Sequence, residues 1–335
     1  MWLILSLIAL LFWSGSDLFS KIGSKPDDKL SHWKMVMMVG LVMGLHAMFE
    51  IFVSKTPISL DAIITYLPAS LLYIFSMILG YVGLRYIELS ISSPICNSSG
   101  AISAILCFFV LGQRLEPMQA VAVILICIGV ISLGIAEYTE DDEKRRLRQS
   151  TANVKYSKSV LAILLPVLYC LLDAAGTFVD SIILDTDVAV TGSFVGGVFC
   201  DTGSVYPSRF LNLLLCGRLE EGTANVAYEL TFLFMGIIAT IYVLIIKRDR
   251  LTVKRDTPKL IGGVCETIGQ FAYVFAIAAY PIGAAPVISA YCIASVIWSS
   301  IFLKEKLSPK HYFSIVIAIL GIVFLALYEG LSGDV

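Results

Sequence analysis

The feature that most restricts how this chain can fold is a stretch it contains twice. Pro94 to Glu137 returns at Pro286 to Glu329, at a constant offset of 192 residues and without a gap. Pro94 falls on Pro286, Ser103 on Ser295, Leu111 on Leu303, Arg114 and Leu115 on Lys306 and Leu307, Pro117 on Pro309, Gly129 on Gly321 and Glu137 on Glu329. Two apolar segments share leucines by chance, so the weight rests on the punctuation: a basic residue, leucine, one residue, proline, and a glycine twelve positions on. Each copy reads as an apolar helix, a short charged turn and a second apolar helix. The chain is therefore expected to consist of two related halves.

Hydropathy puts those halves in a bilayer. The chain is 58% hydrophobic and 15% charged, and the charges collect between long apolar runs, the pattern of a polytopic membrane protein. A net charge of -2 leaves no basic face for nucleic acid, and no glycine-rich phosphate loop follows a strand pattern, so nucleic-acid and nucleotide readings are dropped. A crossing needs about 20 apolar residues. Ten are expected: 2–19, 33–53, 63–84, 89–111, 117–136, 159–181, 226–246, 258–279, and two more in the second repeat copy. The first is read as a span and not a cleaved signal, because no basic residue precedes it and no small-x-small site follows. Gly40 and Gly44 in span two have the spacing that lets helix backbones approach. Tyr66, Tyr73 and Tyr81 in span three read as a substrate-facing stripe or as interfacial anchors; Tyr66, near the span end, fits an anchor, and for Tyr73, deeper in, both readings stay open.

The expected fold is an all-α membrane protein, with ten transmembrane helices arranged as two inverted five-helix repeats. Residues 1–137 form the first repeat, 138–158 a charged linker, and 159–330 the second repeat with a long insertion at 184–225. Five spans per half mean that the second half must enter the membrane in the opposite direction from the first, a common transporter plan with a midplane site. Lysine and arginine set the orientation. The loops after spans one, three, five, seven and nine carry 20 of them and the remaining loops carry 4. The positive-inside rule puts the former in the cytoplasm and both termini outside.

The turn reads LGQRLEP in one copy and LKEKLSP in the other. With ten spans in two five-helix repeats, this resembles the EamA-type branch of the drug/metabolite transporter superfamily over nearly the whole chain. The resemblance is most specific at Pro94 to Pro117 and Pro286 to Pro309. Gln113 stands where the family often has the glutamate kept here as Glu305. The resemblance implies export or exchange of small metabolites, amino acids or drug-like solutes through a cavity between the halves. Relatives are often drawn with both termini in the cytoplasm; we follow the lysine and arginine count.

Ionisable groups inside hydrocarbon are costly and call for an explanation. Asp17, Glu50, Asp180 and Glu229 fall within about two turns of an expected span end, where a carboxylate reaches the headgroups. His46 and Glu50, four residues apart on one helix face, read as a local pair. Asp173 and Glu266 lie deeper, with no lysine or arginine within a turn of either along its span, so each must be protonated, face water or pair with another helix. Glu266, Gln270 and Tyr273 share one face of span eight. Asn97, after Pro94, should match Glu266 in depth, and Tyr291, after Pro286, comes from the other side. The candidate site is therefore Glu266, Gln270, Tyr273, Asn97, Tyr291 and Asp173, suited to a small polar or zwitterionic solute in a mostly apolar pocket.

The resulting function is a secondary transporter at the cell membrane, working by alternating access and open to proton coupling through Glu266. A non-transporting scaffold or sensor is the alternative. An intramembrane enzyme ranks below both, since neither GxSxG nor HExxH occurs. The expected partners are a small solute and the lipid bilayer, with a homodimer allowed and no nucleic acid. No cofactor or metal is expected, because Cys96, Cys107, Cys127, Cys170, Cys265 and Cys292 sit in apolar runs without metal spacing. Cys200 and Cys216, in the insertion, could close a 17-residue disulfide loop if that side is oxidising.

Overall fold

A computed structural model describes residues 1–24, 28–86, 89–138, 160–184 and 217–332, with positions 210 and 213. The expectations about the charged linker and about Cys200 and Cys216 lie outside the described residues. Among those residues all regular structure is helical, as lipid requires of a chain that must satisfy its own backbone. The spans are Trp2–Gly23, Ser31–Ser54, Leu60–Gly83, Leu89–Asn97 continued by Ser99–Phe109, Pro117–Tyr138, Val160–Ile183, Glu221–Ile246, Val253–Ala279, Pro281–Leu303 and Pro309–Ser332, numbered one to ten.

Several spans outrun their apolar stretch. Span one continues past Phe19 to Gly23, span seven begins at Glu221 and span eight at Val253. The added turns are polar, and protein covers part of them, such as Lys21 and Asp256, while Val253 and Lys254 stay exposed. Lys21 is buried and its Nζ donates to the Leu84 carbonyl at 2.6 Å. Lys259, with no exposed surface, pairs with Asp256 at 2.9 Å in the first turns of span eight. Hydropathy alone ends these helices too early because it treats every polar residue as leaving the membrane.

The packing of spans obeys a twofold relation. Span one lies along span eight, and their counterparts six and three lie along each other. Spans two and seven pair, as do five and ten, while the second part of span four crosses the first part of span nine. Exchanging the halves leaves this pattern unchanged, which is the arrangement of two inverted repeats with their axis in the membrane plane. Gly129 and Gly321, equivalent in the repeat, sit at the contact of spans five and ten. A Cβ on Gly129 would lie 2.4 Å from the Ala318 Cβ, and one on Gly321 would lie 2.9 Å from the Ala122 carbonyl oxygen. Gly40 does bring spans two and seven together, facing the Gly236 backbone.

The repeat also recurs in local geometry. Spans two, four, seven and nine end in residues with positive φ: Lys55 (60°), Gly112 (67°), Arg248 (52°) and Lys304 (58°). Each is followed by an N–H that bonds six residues back, Thr56 to Glu50, Gln113 to Cys107, Asp249 to Val243 and Glu305 to Ser299, at 3.0 to 3.3 Å. Spans four and nine both break near midlength, at Ser98 and at Ala290, four residues after Pro94 and Pro286. A proline has no N–H for the helix ladder and loosens the turn around it. Asn97 steadies the first break by donating its Nδ2 to the Ser93 carbonyl at 2.8 Å.

Candidate functional site

Between the halves lies a cavity of about 910 Å³, its open mouth included, lined by spans one, three, four, six, seven, eight and nine. Asn97, Asp173, Glu266, Gln270, Tyr273 and Tyr291 all line it. The broken spans present Asn97 and Tyr291 from opposite sides of the membrane, and span eight turns Glu266, Gln270 and Tyr273 inward on one face. The cavity extends to Leu84 and Leu89, at the membrane face of the loop joining spans three and four. At the opposite face Trp2 packs edge-on against Tyr280 with ring centroids 5.2 Å apart. The Tyr280 hydroxyl there donates to Gln119 Oε1 at 3.1 Å. Ala104, Cys107, Leu111, Ile182 and Ile282 form a small apolar cluster at that same end.

Three carboxyl groups face the cavity. Asp173 Oδ2 accepts from Ser99 Oγ at 2.7 Å, and Glu266 is hydrogen-bonded by Ser16. The third is Asp17, whose Oδ2 accepts from Ser93 Oγ at 2.6 Å and from Ser295 Oγ at 2.8 Å, joining span one to spans four and nine. The sequence reading assigned Asp17 to a span end. Span one runs on to Gly23, six residues past Asp17, and Asp17 faces the cavity instead of the headgroups. The available signal was Ser14, Ser16 and Asp17 within one apolar run. Asp17 and Asp173 lie close enough to Glu266 for their charges to act on it. No lysine or arginine occurs among the described lining residues.

Aromatic rings make up much of the remaining wall. Trp13 lies 5.0 Å from Tyr273 and 5.8 Å from Tyr291 between ring centroids. The Tyr73 and Tyr273 hydroxyls are hydrogen-bonded to each other, and Thr177 Oγ1 lies within hydrogen-bonding distance of both, at 3.2 and 3.3 Å. Tyr81, Tyr169 and Tyr228 line the cavity as well. Of these tyrosines the sequence reading had singled out Tyr273 and Tyr291 alone for the site. Three buried donors on the wall have no protein partner: Trp13 Nε1, Gln270 Nε2 and the Tyr81 hydroxyl.

Other polar residues are arranged differently from the expectation. Asp180 is not at a headgroup: it is fully buried and accepts from the Tyr73 hydroxyl at 3.0 Å. Tyr66 is not an interfacial anchor, having no exposed surface and packing edge-on to Tyr228. His46 takes its nearest partner from another span, with Nδ1 2.8 Å from Glu229 Oε1, against 3.8 Å from Nε2 to Glu50. Asn225 Nδ2 also donates to Glu229, at 3.1 Å. A sequence supplies i,i+4 neighbours but not the rotation of one helix against the next. These groups stand outside the cavity lining.

Comparison with known proteins supports the architecture. A solved structure described as "Crystal structure of protein" matches with a TM-score of 0.59 at 12% identity, covering 97% of this chain and 96% of that one, which shows a shared fold. No curated protein matches the chain. The family model of the EamA-like transporter family matches residues 1–135 and 223–327, one region in each half. With both repeats matched and the twofold packing described above, the chain belongs to the EamA-like transporter family, whose members are membrane transporters of small solutes.

Proposed function

We propose that the protein is a secondary transporter of the cell membrane that exports or exchanges a small solute by alternating access. The observation that carries this reading is the single cavity that draws Asn97 from the first half and Asp173, Glu266, Gln270, Tyr273 and Tyr291 from the second. The two halves rock about it, exposing the carboxyls to one side and then the other. In this scheme Glu266 exchanges a proton with water and competes for that proton with the solute. Orientation follows the lysine and arginine count, with both termini outside; a C-terminal reporter active only in the cytoplasm would refute it.

The test is flux in reconstituted vesicles against a metabolite panel, with wild type and Glu266→Gln compared from mildly acid to mildly alkaline pH. The substitution keeps the side-chain shape and removes the charge. Flux is expected to fall at least about tenfold, equivalent to ~1.4 kcal/mol, and to lose its pH dependence. Folding should persist, since a buried charge has been removed. Wild-type flux from the variant would make Glu266 a packing residue and move the search to Asp173.

A further inference from the structure

The cavity has an unbalanced charge. Asp17, Asp173 and Glu266 face it from spans one, six and eight, and no lysine or arginine occurs among its described lining residues. Their hydrogen bonds come from the neutral hydroxyls of Ser93, Ser295, Ser99 and Ser16, which orient the carboxyls and supply no countercharge. The buried acids of the ionic cluster beside spans two and eight are given bases: Asp28 has Lys34 and Lys259, and Asp256 has Lys259. A buried carboxylate left without a cation is expensive, and several together compound the cost.

We infer that the cavity selects an organic cation, a protonated amine on an apolar or aromatic body, which supplies the countercharge these carboxyls lack. This rests on reading the cavity as the transport site. A carboxylate-bearing ligand would meet like charge and no base. The wall suits the remainder of such a cation. Trp13, Tyr73, Tyr273 and Tyr291 form a contiguous aromatic surface with neighbouring centroids 5.0 to 6.0 Å apart, and aromatic faces attract ammonium groups.

A second observation points to a ligand independently of the acids. Gln270 is 3% exposed and Tyr81 is 6% exposed, yet Gln270 Nε2 and the Tyr81 hydroxyl have no protein partner while lining the cavity. Buried donors without partners are rare and costly. A neutral oxygen on the ligand, such as a hydroxyl, satisfies one of them without adding negative charge.

The experiment uses four matched probes on the purified full chain: tyramine as cation, tyrosine as zwitterion, hydroxyphenylpropionate as anion and ethylphenol as the neutral body. Binding is read from thermal stabilisation in micelles, and transport from labelled flux in vesicles. Tyramine is expected to bind at least about tenfold more tightly than each of the other three. Asp17→Asn, Asp173→Asn and Glu266→Gln should each narrow that preference. Equal or tighter binding of tyrosine, hydroxyphenylpropionate or ethylphenol overturns the inference, as does absence of tyramine binding. The probe comparison is made on the wild-type protein, so it does not depend on any variant folding. Tyramine bound but never carried would uphold the inference and sink the transport reading. Tyrosine carried without tyramine binding would do the reverse.

Discussion

Replacing Lys34 with methionine tests how far the structure depends on the ionic cluster beside spans two and eight. Lys34 has no exposed surface, and its Nζ lies 3.2 Å from Asp28 Oδ1 and 2.6 Å from Asp249 Oδ2. Lys259, equally buried, bridges Asp28 and Asp256 at 3.3 and 2.9 Å, and Arg255 Nη2 reaches Asp249 at 3.4 Å. Three cations thus meet three carboxylates, and Lys34→Met leaves one carboxylate in excess. Removing one partner of a buried pair costs about 3–5 kcal/mol. The Asp249 side chain is 28% exposed and can hydrate, which lowers the expectation to about 2–4 kcal/mol. Asp249→Asn in the same chain restores the balance and should recover about 1–2 kcal/mol.

The acid limb supplies a second readout for the same variant. The hydrogen bond from Lys34 holds the Asp249 carboxyl below the usual carboxylate range. A depressed folded-state pKa contributes stability that is full above the unfolded value, about 3.9 for aspartate, and is lost as pH falls through the folded value. Lys34→Met should flatten that part of the profile. Unfolding in micelles, followed by circular dichroism across pH, measures both effects. A loss below about 1 kcal/mol, or a double variant whose cost is the plain sum of the singles, would refute the argument.

Three further outcomes follow from the repeat and are read by the same unfolding assay. Gly129→Ala and Gly321→Ala each force a methyl against a neighbouring backbone and should cost about 1–3 kcal/mol; wild-type stability in both would contradict the contact of spans five and ten. Gly112→Ala has open space around the new methyl, so the expected cost is the left-handed backbone alone, about 1 kcal/mol. Lys304→Gly, at the equivalent position, should gain a similar amount, and a loss there would show that the lysine side chain outweighs its strained backbone.

The span count, the two halves and their inversion were legible in the sequence, because apolar length and a constant offset of 192 residues are properties of the chain read in order. The candidate residues were legible where an ionisable or amide group stood deep in an apolar run, as Glu266, Gln270, Asn97 and Asp173 do. Helix ends were less so, since Lys21 and Lys259 are polar yet buried, and that burial displaced Asp17 from its expected place. What the tertiary structure decided was company: Asp17 with Ser93 and Ser295, His46 with Glu229, Tyr66 against Tyr228. The physical reason is that periodicity fixes which residues share a helix face, while the rotation and depth of one helix against another come from packing. Partners drawn from different spans exist only once those spans have met.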